Sequence, residues 1–98
     1  MFKSLFEITD FDQYPVWCRT EDGREAPMRQ MMFKEVTEEP VVDEVICVVY
    51  GVDACKRYEI GEYVMATLDI FVGFNEDETR KQVIRARGVS KIKQPQNS

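Results

Sequence analysis

The side chains best suited to catalysis are either missing from this sequence or scattered along it. The 98 residues include no histidine, which removes Ser-His and Cys-His dyads, histidine metal ligands and any group whose unperturbed pKa lies near neutrality. A pair of carboxylates could act as in a glycosidase, but the eighteen acids fall among turn signals, and so small a fold has little room for a deep cleft. We therefore expect no catalytic residue, no metal site and no cofactor, and we expect that the protein is not an enzyme.

The cysteines do not form a disulfide pattern. Cys18, Cys47 and Cys55 are an odd number without paired spacing, whereas a disulfide scaffold of this size normally has four or more. No apolar run approaches the roughly 20 residues of a spanning helix, and acids interrupt the N-terminal segment before a signal-like stretch develops. We expect free thiols, a cytoplasmic location and no membrane partner.

Charge is distributed unevenly along the chain. Residues 1–78 contain all eighteen acids and seven of the thirteen Lys and Arg, a balance of −11, whereas the last twenty residues contain six cations and no acid. A basic segment in a globally acidic protein of net charge −5 is a known indication of a polyanion partner. The alternative is that these cations neutralise acidic strands beside them in the same small domain.

The elements that position these residues are predicted to be mainly strands. Residues 2–9 and 16–20 are typical of one long first strand that is bent or bulged between them. Asp22-Gly23 favours a tight hairpin turn, and residues 28–37 should form the second strand, although the methionines there would also suit a helix.

The second half of the chain has the clearest pattern. Residues 42–51 are predicted to be a third strand with Val45, Cys47 and Val49 on one face, and residues 52–58 a two-turn helix with Lys56 and Arg57 near its C-terminal end. Residues 63–74 and 81–93 should be the fourth and fifth strands. We expect one domain over residues 1–93 and a disordered tail over residues 94–98.

Five strands with a helix between the third and the fourth predict an all-β fold class, the five-stranded Greek-key barrel called the OB-fold. An SH3-like barrel is the nearest alternative, but it would not have a helix at that point. The face of the second and third strands in OB-folds commonly holds oligonucleotides or oligosaccharides.

The segment VICVVYGVDACKRYEIGEYVMATLDI resembles the middle of bacterial single-stranded DNA-binding proteins and the related primosomal replication protein. The matching features are Tyr50-Gly51 at a strand end, Ala54 in a short helix, a turn at Ile60-Gly61 and a strand opening with Val64. RARGVSKI is similar to the closing strand, and the resemblance covers about half of the chain. It implies an OB-fold and single-stranded nucleic acid as the ligand.

The resemblance implies base stacking on Tyr50 and, near the hairpin of the last two strands, on Phe74. Trp17 matches no stacking position of the family, but it is the lone tryptophan and we include it as a third candidate. The N-terminal half departs from the family, and the chain has no acidic C-terminal tip of the kind that recruits replication enzymes. Each of the three aromatics could instead be a packing residue.

Cations beside these rings are the candidates for phosphate contact. Arg85 and Arg87 alternate with Ile84 and Ala86, so their guanidinium groups should leave one face of the last strand, and they could instead pair with acids such as Asp69. The full set of phosphate candidates is Arg29, Lys34, Arg85, Arg87 and Lys91.

Our leading hypothesis is a non-catalytic protein that binds single-stranded DNA or RNA, with DNA as the first expectation, as an accessory in replication or replication restart. A homodimer or homotetramer would align basic strands from several copies. The alternative is an OB-fold module for protein interaction or assembly that binds no nucleic acid and presents Met28, Met31 and Met32 to a protein partner.

Overall fold

The computed structural model describes residues 2–19, 23–41, 43–74, 77 and 79–92, and for residues 71–74, 80 and 81 it describes the backbone alone. These residues form six strands and one short helix. In chain order the elements are β1 (Phe2–Phe11), β2 (Val16–Arg19), β3 (Glu25–Glu35), β4 (Glu44–Tyr50), α1 (Val52–Cys55), β5 (Tyr63–Phe74) and β6 (Arg80–Ile92).

The six strands belong to one sheet in the order β1-β5-β6-β4-β3-β2. β1 also pairs with β3, so the pairings run from β1 through β5, β6, β4 and β3 and return to β1. The pairings are antiparallel except between β4 and β6, where Val48 lies opposite Arg85 in a parallel pair. The predicted all-β class with one short helix is confirmed at this level.

Alternation along the strands produces one buried face, which we call the inner face. On β4 the inner residues are Val45, Cys47 and Val49, as predicted, and the partner strand β3 contributes Met31 and Phe33. The rings of Phe6 and Phe33 stack with 5.6 Å between their centroids at the centre of this core. The remaining core residues are Ile8, Ala54, Tyr58, Val64, Ala66, Leu68, Ala86 and Val89.

The first predicted strand is divided in two, so the sheet has six strands rather than five. Residues 12–15 separate β1 from β2, and Pro15 lies at the break. Both parts nevertheless run antiparallel along β3, with Phe11 opposite Met31 and Val16 opposite Met28. β2 and β3 then form the expected hairpin, in which Gly23 has a φ of 80° while Asp22 lies outside the described residues.

The helix is shorter than predicted and ends before the two cations assigned to its last turn. α1 spans four residues, and the next residue, Lys56, already has extended backbone angles. The Tyr58 hydroxyl donates a 2.6 Å hydrogen bond to the Asp53 carbonyl, which turns the chain back into the core. Lys56 instead reaches back to Asp53, with its Nζ 3.0 Å from the carboxylate.

The other predicted strands are confirmed with small shifts. β5 has the predicted bounds, β6 begins one residue early, and β3 begins at residue 25 rather than 28. Beyond Leu68 the described part of β5 pairs with β6 and no longer with β1, so the two strands extend from the body as an arm. The molecule measures 52 × 26 × 19 Å, and the predicted tail over residues 94–98 lies outside the described residues.

Candidate nucleic-acid interface

The face of β3 and β4 opposite the core is largely apolar in its middle. The register places Met28 opposite Tyr50, Met32 opposite Ile46 and Lys34 opposite Glu44. We call the surface formed by these six residues, Gln30 and Val48 the outer face. Ile46 is 53% exposed, a large value for an apolar side chain at the centre of a sheet. The outer face therefore offers an apolar strip with charged residues at one end and a tyrosine at the other.

Tyr50 lies at the end of this strip beside a guanidinium group. The Arg85 Cζ is 5.2 Å from the centroid of the Tyr50 ring, a cation–π contact made possible because Arg85 enters next to β4 opposite Val48. Burial raises the pKa of the Tyr50 phenol, the Cys18 thiol raises it further, and Arg85 opposes both. The tyrosine and the arginine thus form one half-buried unit on the outer face.

The hydrogen-bonding state of Arg85 is unusual for an arginine. Its Nε is buried and has no hydrogen-bond partner among the described residues. Most buried polar atoms in proteins have such a partner, so this donor is held close to the Tyr50 ring without one of its own. Because this nitrogen is buried, a ligand in solvent cannot reach it.

Trp17 is not on the outer face. Val16 lies opposite Met28 and Cys18 opposite Ala26, so the side chains of Val16 and Cys18 are on the outer-face side of the sheet. Trp17 lies between them in sequence, opposite Pro27, and its side chain points to the other side. Its ring is 70% exposed, so it is available to a partner, although not to one that stacks on Tyr50. Phe74 ends β5, and its side chain lies outside the described residues.

Arg29 is inside the protein rather than at its surface. It is 7% exposed, and its Cζ is 5.8 Å from the Phe11 ring centroid and 5.7 Å from that of Tyr58. Its Nη1 donates a 3.2 Å hydrogen bond to the Lys56 carbonyl. Positions 29 and 34 are five apart along β3, and side chains an odd number of positions apart point to opposite faces of a regular strand. Arg29 and Lys34 therefore lie on opposite faces. A buried guanidinium cannot meet a phosphate in solvent, and we leave Arg29 out of the interface.

The remaining cations differ in how they are engaged. Lys34 is exposed on the outer face, across from Glu44. Arg87 forms a salt bridge with Asp69, which is the pairing that the sequence left open as an alternative to phosphate binding. Lys91 lies six residues beyond Arg85, about 20 Å along β6.

Lys91 belongs to the surroundings of Tyr58 and not to the outer face. Its Nζ is 3.3 Å from the Glu62 carboxylate and 5.6 Å from the Tyr58 ring centroid, and it donates a hydrogen bond to the Arg57 carbonyl. Of the five cations predicted for phosphate contact, the outer face therefore includes Lys34 at one end and Arg85 at the other, with Arg87 next along β6 on the same side.

Sequence reasoning missed the strip itself. The methionine cluster divides between the faces, with Met31 buried in the core and Met28 and Met32 half-buried outside. The alternation of residues 28, 30, 32 and 34 carried this information, because it places two methionines and a lysine on one side of a strand. Alternation along residues 44–50 likewise predicted Ile46 on the side of Glu44 and Tyr50, opposite the inner residues of β4.

A shallow depression of about 50 Å³ adjoins the strip. Asp10, Asp12 and Gln30 supply its polar lining, and Phe11, Met31, Met32 and Ile46 supply the rest. It has room for a few water molecules. Its two aspartates make this side of the outer face unfavourable for anions.

Neither the protein-family models nor the curated proteins contain a match to this chain. Among the described residues, no helix has the length and apolar character needed to cross a membrane.

Proposed function

We propose that this chain is an OB-fold protein that binds single-stranded nucleic acid, DNA or RNA, on its outer face. The order of the strand pairings supports the OB-fold: five of the strands pair in a circuit that returns to β1, β4 and β6 are parallel, and a short helix separates β4 from β5. β3 and β4 take the places of the second and third OB strands, whose shared face is the usual ligand surface.

The unit of Tyr50 and Arg85 carries the proposal. Single strands are held by aromatic faces that stack on bases and by cations beside them, and here a ring and a guanidinium are 5.2 Å apart on the expected face. Arginine planes also stack on bases, so this unit offers a ring and a planar cation together.

The rest of the outer face extends the site away from that unit. Met28, Met32 and Ile46 can contact bases or sugars without regard to sequence, and Lys34 lies six residues from Met28, about 20 Å along β3. Such a surface would hold a few nucleotides with little sequence preference. The net charge of −5 works against binding, so we expect weak affinity at moderate salt.

The test is fluorescence anisotropy of labelled oligo-dT at low salt with the full chain. Tyr50→Ala should weaken binding by roughly 1 to 3 kcal/mol, or about 5-fold to 150-fold, and Tyr50→Phe should bind like the parent protein because it keeps the ring. Tyr14→Ala is the matched control, since Tyr14 is 71% exposed and lies outside the outer face. Absence of binding at tens of micromolar protein would overturn the proposal.

A second candidate function is protein interaction through the same strip. The observation that favours it is the 53% exposure of Ile46 beside two half-buried methionines, which is typical of apolar association surfaces. Ionic strength separates the two functions. Nucleic-acid binding should fall as salt is raised, whereas an apolar protein contact should hardly respond.

A further inference from the structure

β2 is the terminal strand of the sheet and has one open edge. Among the described elements it contacts β3 alone. The chain around this edge is apolar and exposed: Trp17 is 70% exposed, Val16 56% and Tyr14 71%. Unpaired strand edges lined by apolar side chains are templates for pairing with another strand.

The hydrogen bonds of β3 determine which backbone groups lie at that edge. The Pro27 carbonyl accepts a 2.9 Å hydrogen bond from the Gly51 N–H, so the backbone groups of Pro27 point away from β2. Trp17, directly opposite Pro27, is therefore in a non-hydrogen-bonded pair, and its N–H and C=O point away from β3. Arg19 has the same orientation, because it lies two residues further along.

We propose that a second copy of this chain pairs antiparallel with this edge, about a two-fold axis that passes beside Cys18. In this register Trp17 lies opposite the partner's Arg19, and Arg19 lies opposite the partner's Trp17. Each pair exchanges two hydrogen bonds, so all four edge groups of each copy are satisfied. An axis beside Trp17 would instead place Arg19 opposite the partner's Pro15, which has no N–H to donate.

The side chains complement each other in the same register. Residues directly opposite each other share a face of the sheet, so each exposed Trp17 ring meets the partner's Arg19 guanidinium in a cross-strand cation–π contact, formed twice. The pairing uses the β2 edge of both copies, so no β2 edge remains for a third copy and the assembly is a dimer. The four-residue length of β2 and Pro15 at its start prevent pairing in longer registers.

The first test uses the cysteine at the proposed axis. Two Cys18 residues would form a non-hydrogen-bonded pair with Cα atoms about 4.5 Å apart, within the range that a disulfide can bridge. Under mild oxidation by copper-phenanthroline in air, two thiols lose two protons and two electrons to the oxidant and form one S–S bond. Cys47 is buried in the core, so Cys18 and Cys55 are the thiols that can react between molecules.

The full-length Cys55→Ser variant, which keeps Cys18, should form a covalent dimer on a non-reducing gel at least tenfold faster than the Cys18→Ser variant, which keeps the exposed Cys55. Equal rates, or faster dimer formation through Cys55, would overturn the proposal. No nucleic acid is present in this assay, so its result is independent of the proposed function.

The second test separates the proposed register from a general apolar contact. In the Cys55→Ser background, Trp17→Lys places a like charge against the partner's Arg19, whereas Trp17→Glu places a carboxylate against it. Trp17→Glu should cross-link at least tenfold faster than Trp17→Lys, although it makes each molecule more negative and so increases overall repulsion. Both changes are at an exposed position, and circular dichroism verifies folding. Similar or reversed rates for the two variants would contradict the register.

Discussion

At the scale of single residues, Arg29 shows how the face of a strand decides what a cation does. Its guanidinium contacts the rings of both Phe11 and Tyr58, which also contact each other edge to face, and it is closed off from solvent. Desolvated contacts of this kind are stronger than exposed ones, because water no longer competes for the cation. Arg29 therefore joins β1, β3 and the segment after α1 into one packed unit.

Arg29→Ala should lower the free energy of unfolding by about 2 to 4 kcal/mol, because it removes both ring contacts and leaves a cavity between them. Urea denaturation measures the change. Lys34→Ala is the matched control on the same strand, and it should change stability by no more than about 0.5 kcal/mol because Lys34 is exposed. Equal losses in the two variants would show that the buried cation has no special role.

Cys47 gives the protein a sensitivity to alkaline pH. Burial raises the pKa of the Cys47 thiol to about 12 from its ordinary value of 9.0. Above about pH 9 the unfolded chain releases this proton while the folded state keeps it. The contribution of Cys47 to the free energy of unfolding is therefore complete below about pH 9 and is lost as the pH rises towards 12. Burial raises the pKa of Tyr58 as well, which acts in the same direction.

Cys47→Ala should make the fall in unfolding free energy between pH 9 and pH 11 shallower by roughly 1 kcal/mol per pH unit, since one titrating group is removed. Urea denaturation at several pH values gives this slope. Cys55→Ala, which removes an exposed thiol, is the control variant. A slope that does not respond to Cys47→Ala would mean that another group causes the alkaline loss.

At the scale of elements, β6 contains a bulge opposite β5. The bulge reverses which side chains of β6 point into the core on either side of it. The pairing shifts between Met65 and Thr67, and Gly88, within the shift on β6, has a φ of 61°. This left-handed conformation is unfavourable for residues with a Cβ. In a regular strand Ala86 and Val89, three positions apart, would point to opposite faces. Because of the extra residue, both point into the core.

Gly88→Ala should therefore destabilise the protein by about 1 kcal/mol through backbone strain, since a Cβ there meets no atom within 4 Å. Thermal denaturation followed by circular dichroism measures the effect. Gln82→Ala, an exposed position on the same strand, should be nearly neutral. A neutral Gly88→Ala would indicate that the bulge relaxes without strain.

The strands formed by continuous apolar runs are the ones that could be predicted from sequence. The bounds of β5 follow from such a run between turn residues, and the inner residues of β4 follow from the alternation of side chains along a strand. The interruption after β1 was predicted as a bend or bulge, but the division into two strands was not, because both parts pair with the same partner strand. The short helix was overextended because Tyr58, an acceptable helix residue, is bound in the core instead.

The candidate site was predictable only where neighbours along a strand define it. The shared side of Arg85 and Arg87 follows from their spacing, but the contact between Arg85 and Tyr50 depends on a parallel pairing between strands far apart in sequence. The separation of Trp17 from Tyr50 depends likewise on the register of β2 against β3. Such long-range registers are set by the whole sheet and leave no local pattern.

At the scale of the whole molecule, charge limits the proposed function. Lys34 and Arg85, with Arg87 beside them, provide two or three cations near the outer face, against a net charge of −5. Each phosphate neutralised on a single strand contributes about −0.7 to the slope of log affinity against log salt.

The slope for oligo-dT should therefore be about −1.4 to −2, measured by anisotropy between 20 and 200 mM salt as an order-of-magnitude range. Lys34→Ala should reduce its magnitude by about 0.7, because one phosphate contact is lost. Lys91→Ala is the control: Lys91 is near Tyr58, and its removal should leave the slope unchanged. A slope of zero for the parent protein would favour the apolar protein contact instead.

The length of the molecule affects how its solution state must be measured. With one axis of 52 Å against 26 and 19 Å, the chain experiences more friction than a sphere of the same mass. Its radius of gyration is 14.1 Å, compared with roughly 12.6 Å for a typical domain of 98 residues. A monomer should therefore elute early from a gel-filtration column, and its apparent mass should exceed its true mass. Light scattering or sedimentation equilibrium, which report mass without regard to shape, are the measurements that count its subunits correctly.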